Sequence, residues 1–211
     1  MHSIIYRYKF HFKNREFLIS LISGVALFVV SLIVNYHAGL YATEIASNPV
    51  TDIFLSNVPV LNLDGTFIYG TIIFWLFVLS VSLIQPKKAP FILKSIALFI
   101  LIRSLFITLT HIGPFPSHMI VDSSVIGKFT FGGDLFFSGH TGLPFLFALI
   151  FWKDKKLRYF FIITSISFGF VVLLAHLHYS IDVLSAFFIT YTIYHLSTVF
   201  FKKDVELFNK E

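Results

Sequence analysis

The chain has 211 residues, 56% of them hydrophobic and only 13% charged, with a mean hydropathy of +0.83 and a formal net charge of +5. A water-soluble core of this size could not hide 28 Phe residues, so the composition excludes a soluble globular domain and reads as a membrane protein. The absence of Cys excludes disulfides and thiolate metal sites, and the basic residues stand in clumps beside apolar runs, which reads as topology signals and not as a nucleic-acid surface.

Residues 1–16 form a basic tail carrying Arg7, Lys9, Lys13 and Arg15, and the run at 17–34 is long enough to be a first membrane span. A cleavable signal peptide is the alternative, but the run is long for one and no small-x-small site follows it. Residues 35–66 contain no Lys or Arg, carry Glu44, Asp52 and Asp64, and are broken by Pro49 and Pro59. They read as an outside loop that dips into the interface at 50–61. A second span at 67–84 is followed by the turn Gln85-Pro86-Lys87-Lys88 and a third span at 91–110, with Lys94 near its inner end and placed to snorkel. A second outside loop, 111–137, is bent by Pro114 and Pro116 and has Lys128 as its one basic residue.

The fourth span is unusual. Only 143–152 is cleanly apolar, which is too short, so the helix must take in Ser138-Gly139-His140-Thr141 at its outer end. Lys153, Lys155, Lys156 and Arg158 make the most basic turn, 159–175 is the fifth span, 176–181 a short outer turn, and 183–201 the sixth span. Trp75, Trp152 and Tyr159 read as interfacial anchors. The expected fold is therefore all-α: a polytopic membrane protein of six transmembrane helices, with one catalytic domain at 17–201 and a cytosolic tail at 202–211. Thirteen of the sixteen Lys and Arg residues fall in the two tails and the two inner turns, which puts both termini in the cytosol. His111, Asp134, His140, His178 and Asp182 then all lie at the non-cytosolic ends of their spans.

Two polar clusters interrupt this apolar chain: Gly132-Gly133-Asp134-Leu135-Phe136-Phe137-Ser138-Gly139-His140-Thr141 and His176-Leu177-His178-Tyr179-Ser180-Ile181-Asp182. His178 and Asp182 stand four apart, so on a helix the carboxylate holds one imidazole nitrogen and leaves the other free to attack. His140 follows a Ser-Gly turn that reads as a helix start, where backbone N–H groups favour an anion such as phosphate. Arg103 lies well inside the third span, where a cation needs an anion, a buried carbonyl or carboxylate, or a route to snorkel.

Phosphodiester cleavage needs a nucleophile, a proton donor for the departing alkoxide and positive charge on the non-bridging oxygens. His178 oriented by Asp182, His140, and Arg103 with the Ser138-Gly139 backbone offer each of these. The same cluster has a zinc reading through His176, His178, Asp182 and His140, but no HExxH-type pair supports it. Residues two apart also lie about 200° apart around a helix, which separates His176 from His178. The expectation is no metal and no cofactor, with His176 as a rim residue touching a head group. His37, His118 and His195 read as structural.

At these residues the chain resembles the sphingomyelin synthase family, a branch of the type 2 phosphatidic acid phosphatase (PAP2) superfamily. Residues 133–141 match the GD-x-x-x-SGHT signature and residues 175–183 the AH-x-HY-[ST]-[IV]-DV signature. Leu101-Ile102-Arg103-Ser104 through Thr110, followed by Pro114-Phe115-Pro116, is similar to the family's buried-Arg segment. The resemblance implies a PAP2-like bundle and transfer of a phosphocholine- or phosphoethanolamine-type head group from a phospholipid to ceramide or a similar lipid alcohol.

It also implies His140, His178 and Asp182 as the catalytic triad, acting through a phospho-histidine, with Arg103, Asp134, Ser138, Gly139, His176 and Tyr179 around the substrate. The partners implied are the bilayer, a phospholipid donor and a ceramide or diacylglycerol-type lipid. The superfamily phosphatases' own K-x6-RP and SR-x5-H motifs are absent, and Val172 stands where the second Arg would be. A PAP2-type lipid phosphate phosphatase and a non-catalytic lipid-binding or transport protein are the alternatives.

Overall fold

The computed structural model describes residues 11–119 and 132–209. Arg7, Lys9, Lys128 and Lys210, which enter the charge argument, lie outside the described residues. Among the described residues there is no strand. The helices are α1 (Arg15–Glu44), α2 (Asp64–Ile84), α3 (Ala89–Leu109), α4 (Gly139–Ile150), α5 (Lys155–Leu174), α6 (Ser180–Phe200) and α7 (Lys202–Asn209), with a 3₁₀ turn at Pro86–Lys88 before α3. Five segments are long and apolar enough to cross a membrane: α1, α2, the 3₁₀ turn with α3, α5 and α6. The apolar α4 has only 12 residues and makes the sixth. The protein is an all-helical, polytopic membrane bundle.

Local chemistry explains the starts. The Asn14 side chain accepts from the N–H groups of Glu16 and Phe17 at 2.9 and 3.3 Å, and Asp154 accepts from Lys156 and Leu157 at 3.0 and 3.1 Å. Each satisfies N–H donors that the first helical turn cannot pair internally. Pro90 in the first turn of α3 loses no helical hydrogen bond.

α1 packs along α3, α4 packs between α5 and α6, α3 also touches α6, and α2 touches α5 and the 3₁₀ turn. The interior is dominated by Phe, with Phe74, Phe99, Phe137, Phe147, Phe151 and Phe161 in one buried cluster. Lipid tails are as apolar as these rings, so close packing and polar ties between helices hold such a bundle more than the hydrophobic effect does. One tie is Ser165 on α5, whose hydroxyl donates to the Thr141 carbonyl on α4 at 2.7 Å.

Three segments add to or depart from the sequence expectation. α1 runs 30 residues, ten beyond 34, because nothing breaks it before Pro49 and Ala38 and Ala42 pack against Ile107 of α3. In the stretch at 50–61, Leu55 is buried against Leu135 and Tyr179 while Ile53 is exposed, so this loop lies over the end of the bundle where α4 and α6 begin. The expected tail at 202–211 contains α7, which turns back onto α3.

α7 is held there by Asp204, whose carboxylate accepts from Lys94 Nζ at 2.7 Å and also from the Ser20 hydroxyl. Lys94 Nζ donates to Ser20 Oγ at 2.8 Å as well. Lys94 is thus a buried tie joining α1, α3 and α7 and does not snorkel to water, since Asp204 offers it a carboxylate within the bundle.

Candidate active site

The site is assembled where α4 and α6 begin. Ser138 caps α4, its hydroxyl oxygen accepting from Thr141 N at 3.4 Å and Thr141 Oγ1 at 3.2 Å. The Ser138 backbone N–H donates to the Asp182 carbonyl at 3.1 Å, joining the first turns of the two helices. The sequence places His140 in one of these turns and Asp182 in the other, and this hydrogen bond puts the two polar clusters side by side. Pro144 within α4 has no N–H to give the His140 carbonyl, so the first turn lacks that helical bond.

Asp182 is fully buried. Its Oδ2 accepts from the Tyr179 N–H at 2.9 Å, tying down the start of α6, and from His178 Nδ1 at 3.4 Å. Among the described residues Oδ1 has no partner. A carboxylate beside Nδ1 makes that nitrogen the N–H and leaves the lone pair on Nε2 of His178.

Arg103 is buried, with three of its N–H donors engaged. Nε donates to the Phe137 carbonyl at 2.8 Å, one terminal nitrogen to Asp134 Oδ2 at 3.2 Å and the other to the Asp134 carbonyl at 2.6 Å. A guanidinium has five N–H donors, so two remain. Burial pushes the Asp134 carboxyl above the usual carboxylate range, while the Arg103 guanidinium beside it pulls it back. Gly139 lets the guanidinium approach: a Cβ there would stand 3.3 Å from Nε. Gly133 is needed for the loop, because its own Cβ would meet the Ala42 carbonyl oxygen of α1 at 2.4 Å.

Arg103, Asp134, Gly139 and His140 line one cavity of about 200 Å³, together with Asn35, Trp75 and Phe168. His178 and Asp182 are beside this cavity and not in its lining. The His140 ring packs against Phe67 with centroids 4.4 Å apart, and among the described residues its nitrogens have no hydrogen-bond partner. Trp75 sits in the middle of α2, not at an end, and borders this cavity instead of an interface.

His176 and Tyr179, expected near a head group, are both engaged with neighbouring loops. The end of α5 closes in a Schellman motif, with His176 N–H bonded to Leu173 O at 3.0 Å and Leu177 N–H to Val172 O at 2.9 Å. His176 takes the left-handed position with φ 55°, which usually falls to Gly. Its ring is held at both nitrogens: Nε2 donates to the Val58 carbonyl at 3.1 Å, and Nδ1 therefore accepts from the Ser117 hydroxyl at 2.7 Å. The Tyr179 hydroxyl donates to Gly113 O at 2.8 Å and accepts from Val50 N at 3.2 Å. Both residues hold the two outer loops onto the turn that carries His178.

Sequence reasoning passed over Asp52, which does the same for α6. It accepts from Ser180 N at 2.7 Å and Ser180 Oγ at 2.8 Å as well as from Phe54 N and Leu55 N. Burial alone would raise the Asp52 carboxyl, but the bonds from Leu55, Ser180 and Phe54 outweigh that and hold it below the usual carboxylate range. Its only sequence signal was an acid in a loop without a cation to pair it. His111 belongs to another contact, its carbonyl accepting from Ser47 N at 2.7 Å.

The turn, the capped α4 start and the α6 start all fall in one stretch of chain. Residues 132–199 match the family model described as PAP2 superfamily C-terminal. The match includes Asp134, Ser138, Gly139, His140, His176, His178, Tyr179 and Asp182, and it supports the PAP2 superfamily for this chain. No curated protein and no solved structure matches it.

Proposed function

We propose that this membrane protein is a lipid head-group phosphotransferase of the sphingomyelin synthase type, moving a phosphocholine- or phosphoethanolamine-type group from a phospholipid to ceramide or a similar lipid alcohol. The PAP2 match supports the coarser reading, a lipid phosphatase or phosphotransferase. The observation that carries the proposal is the Ser138–Asp182 backbone bond, which joins the turn of His140 to that of the His178–Asp182 pair, while the bonds of Arg103 to Asp134 and the Phe137 carbonyl tie α3 to the same turn. Val172 is buried where the phosphatase motif has an Arg, a departure that favours the transferase branch over the simple phosphatases.

In the first half-reaction, Nε2 of His178 attacks phosphorus. The bond from phosphorus to the diacylglycerol oxygen breaks, and a proton from His140 neutralises the departing alkoxide. The two remaining Arg103 N–H groups and the first-turn amides of α4 hold the non-bridging oxygens. In the second half-reaction His140 takes the proton of the acceptor hydroxyl, whose oxygen displaces His178 from phosphorus. Asp182 keeps Nδ1 protonated throughout. Residues 17–201 act as one catalytic unit, with both termini cytosolic and the site on the other side of the membrane.

Purified protein given phospholipid labelled in its head group, with and without ceramide, tests this. Labelled head group appearing on ceramide is expected. Release of phosphate or phospho-head group without transfer overturns the transferase reading in favour of a phosphatase. Turnover that survives both His178→Ala and Asp182→Asn overturns the catalytic assignment.

A further inference from the structure

A second and larger cavity, about 1070 Å³, lies at the other end of α4, where Leu149 and Ile150 help to line it. Ten residues of helix, about 15 Å at 1.5 Å per residue, separate Ile150 from His140. Lys87 and Lys88 reach this cavity from the 3₁₀ turn, Lys153 from the turn between α4 and α5, and Lys155 and Lys156 from the start of α5. Its one acidic residue, Asp154, is already engaged in capping α5. Inside-loop lysines acting only as topology signals need no common focus. These five converge from two separate stretches of chain on one space.

Beyond Gln85, His195 and Asn209, the rest of the lining is apolar or aromatic, including Phe91, Phe151 and Phe208. Lys88 Nζ lies over the Phe151 and Phe208 rings at 4.9 and 4.7 Å, so its charge is held at the cavity wall and does not trail into solvent. A free anion would use the lysines and leave the aromatic wall uncovered. An amphiphilic anion uses both.

We infer that this cavity binds an anionic phospholipid of the leaflet at the basic end of the bundle, its phosphate among the lysines and its upper acyl region against Phe91, Phe151 and Phe208. The site is distinct from the one around His140 and needs nothing from the chemistry proposed there.

Trp152 lines the cavity and Trp75 is the only other Trp, so Trp75→Phe gives a single fluorescent reporter. The full chain in detergent is titrated with dioctanoyl phosphatidylglycerol, dioctanoyl phosphatidylcholine or inorganic phosphate. Saturable binding of phosphatidylglycerol at least about tenfold tighter than phosphatidylcholine is expected, from roughly fivefold per lysine near an anionic head group. The triple variant Lys88→Gln, Lys153→Gln, Lys156→Gln loses about tenfold or more of that affinity, and Lys→Arg at the same positions retains it. Equal affinity for the two lipids, or an unchanged affinity in the Gln variant, overturns the site. Saturation by inorganic phosphate alone at the same concentration overturns its assignment to a lipid. Should the Gln variant not fold, the head-group comparison and the Arg variant still decide.

Discussion

Asp182 is where structure and chemistry can be separated most cleanly. In Asp182→Asn, the amide oxygen must take the Oδ2 position to keep accepting from Tyr179 N–H and His178 Nδ1. The NH₂ then falls where Oδ1 was, a buried position without a partner among the described residues. One unpartnered atom replaces another, the α6 cap survives, and the expected change in stability is below about 1 kcal/mol.

What is lost is the negative charge beside an imidazole that must carry positive charge while it reacts. Unit charges about 4 Å apart interact by about 4 kcal/mol at an effective dielectric of 20, and 1.36 kcal/mol is a factor of ten in rate, so turnover should fall on the order of a thousandfold. Asp182→Ala should cost the same activity and, through the lost cap, about 1–2 kcal/mol of stability as well. The readouts are head-group transfer under single-turnover conditions and thermal unfolding in the same detergent. An Asn variant with full turnover refutes the role given to the carboxylate, and an Asn variant as unstable as the Ala variant refutes the cap geometry.

Asp52 sets an acid limit on the outer loops. Its carboxyl is held below the unfolded value, so the stability it contributes is present above about pH 3.9 and is lost as pH falls through the folded value. Thermal melts from pH 6 down to 3 should show this fall in the native protein and a flatter profile in Asp52→Asn. At position 176, Gly takes the left-handed backbone without strain, so His176→Gly should be more stable than His176→Ala by about 1 kcal/mol although both lose the ties to Ser117 and Val58; equal melting temperatures would refute the strain. Lys94→Met leaves Asp204 buried without its cation and should cost about 3–5 kcal/mol, most of it regained in the Lys94→Met, Asp204→Leu double variant. Thermal unfolding of the three proteins checks that, and a double variant no better than the single one counts against it.

Much of the bundle was legible because bilayer thickness imposes a length on every apolar run. The spans at 67–84, 91–110, 159–175 and 183–201 each correspond to a helix with ends shifted by a few residues. The short fourth run was legible in the same way, since 143–152 alone could not cross and Ser138 supplied a cap. The long extension of α1 was not, because Asn35, Tyr36 and His37 look like a loop until Ala38 and Ala42 are seen packing on Ile107.

The residues named for the site show the same division. The four-residue spacing paired His178 with Asp182, but not by a shared helix face: His178 stands in the turn before α6, and Asp182 in the first turn of α6 reaches back to it. Spacing could not distinguish His178 from His176, two positions away in the same polar turn. Only the left-handed backbone at 176 turns that ring to Ser117 and Val58. Likewise, Arg103 could be seen to need an anion or a buried carbonyl, but its partners, Asp134 and the Phe137 carbonyl, lie more than thirty residues along the chain.

The amino-acid order by itself settled the all-helical class, the membrane setting and the two polar clusters, since hydropathy and helical spacing act within a turn or across one bilayer thickness. The tertiary structure alone decided that α4 and α6 start side by side, that Asp52 and Tyr179 bind the loops before α2 and α4 to the start of α6, and that five lysines from two stretches of chain share a cavity. Those are contacts between distant segments, governed by how helices pack and where buried polar groups find partners, and no local pattern encodes them.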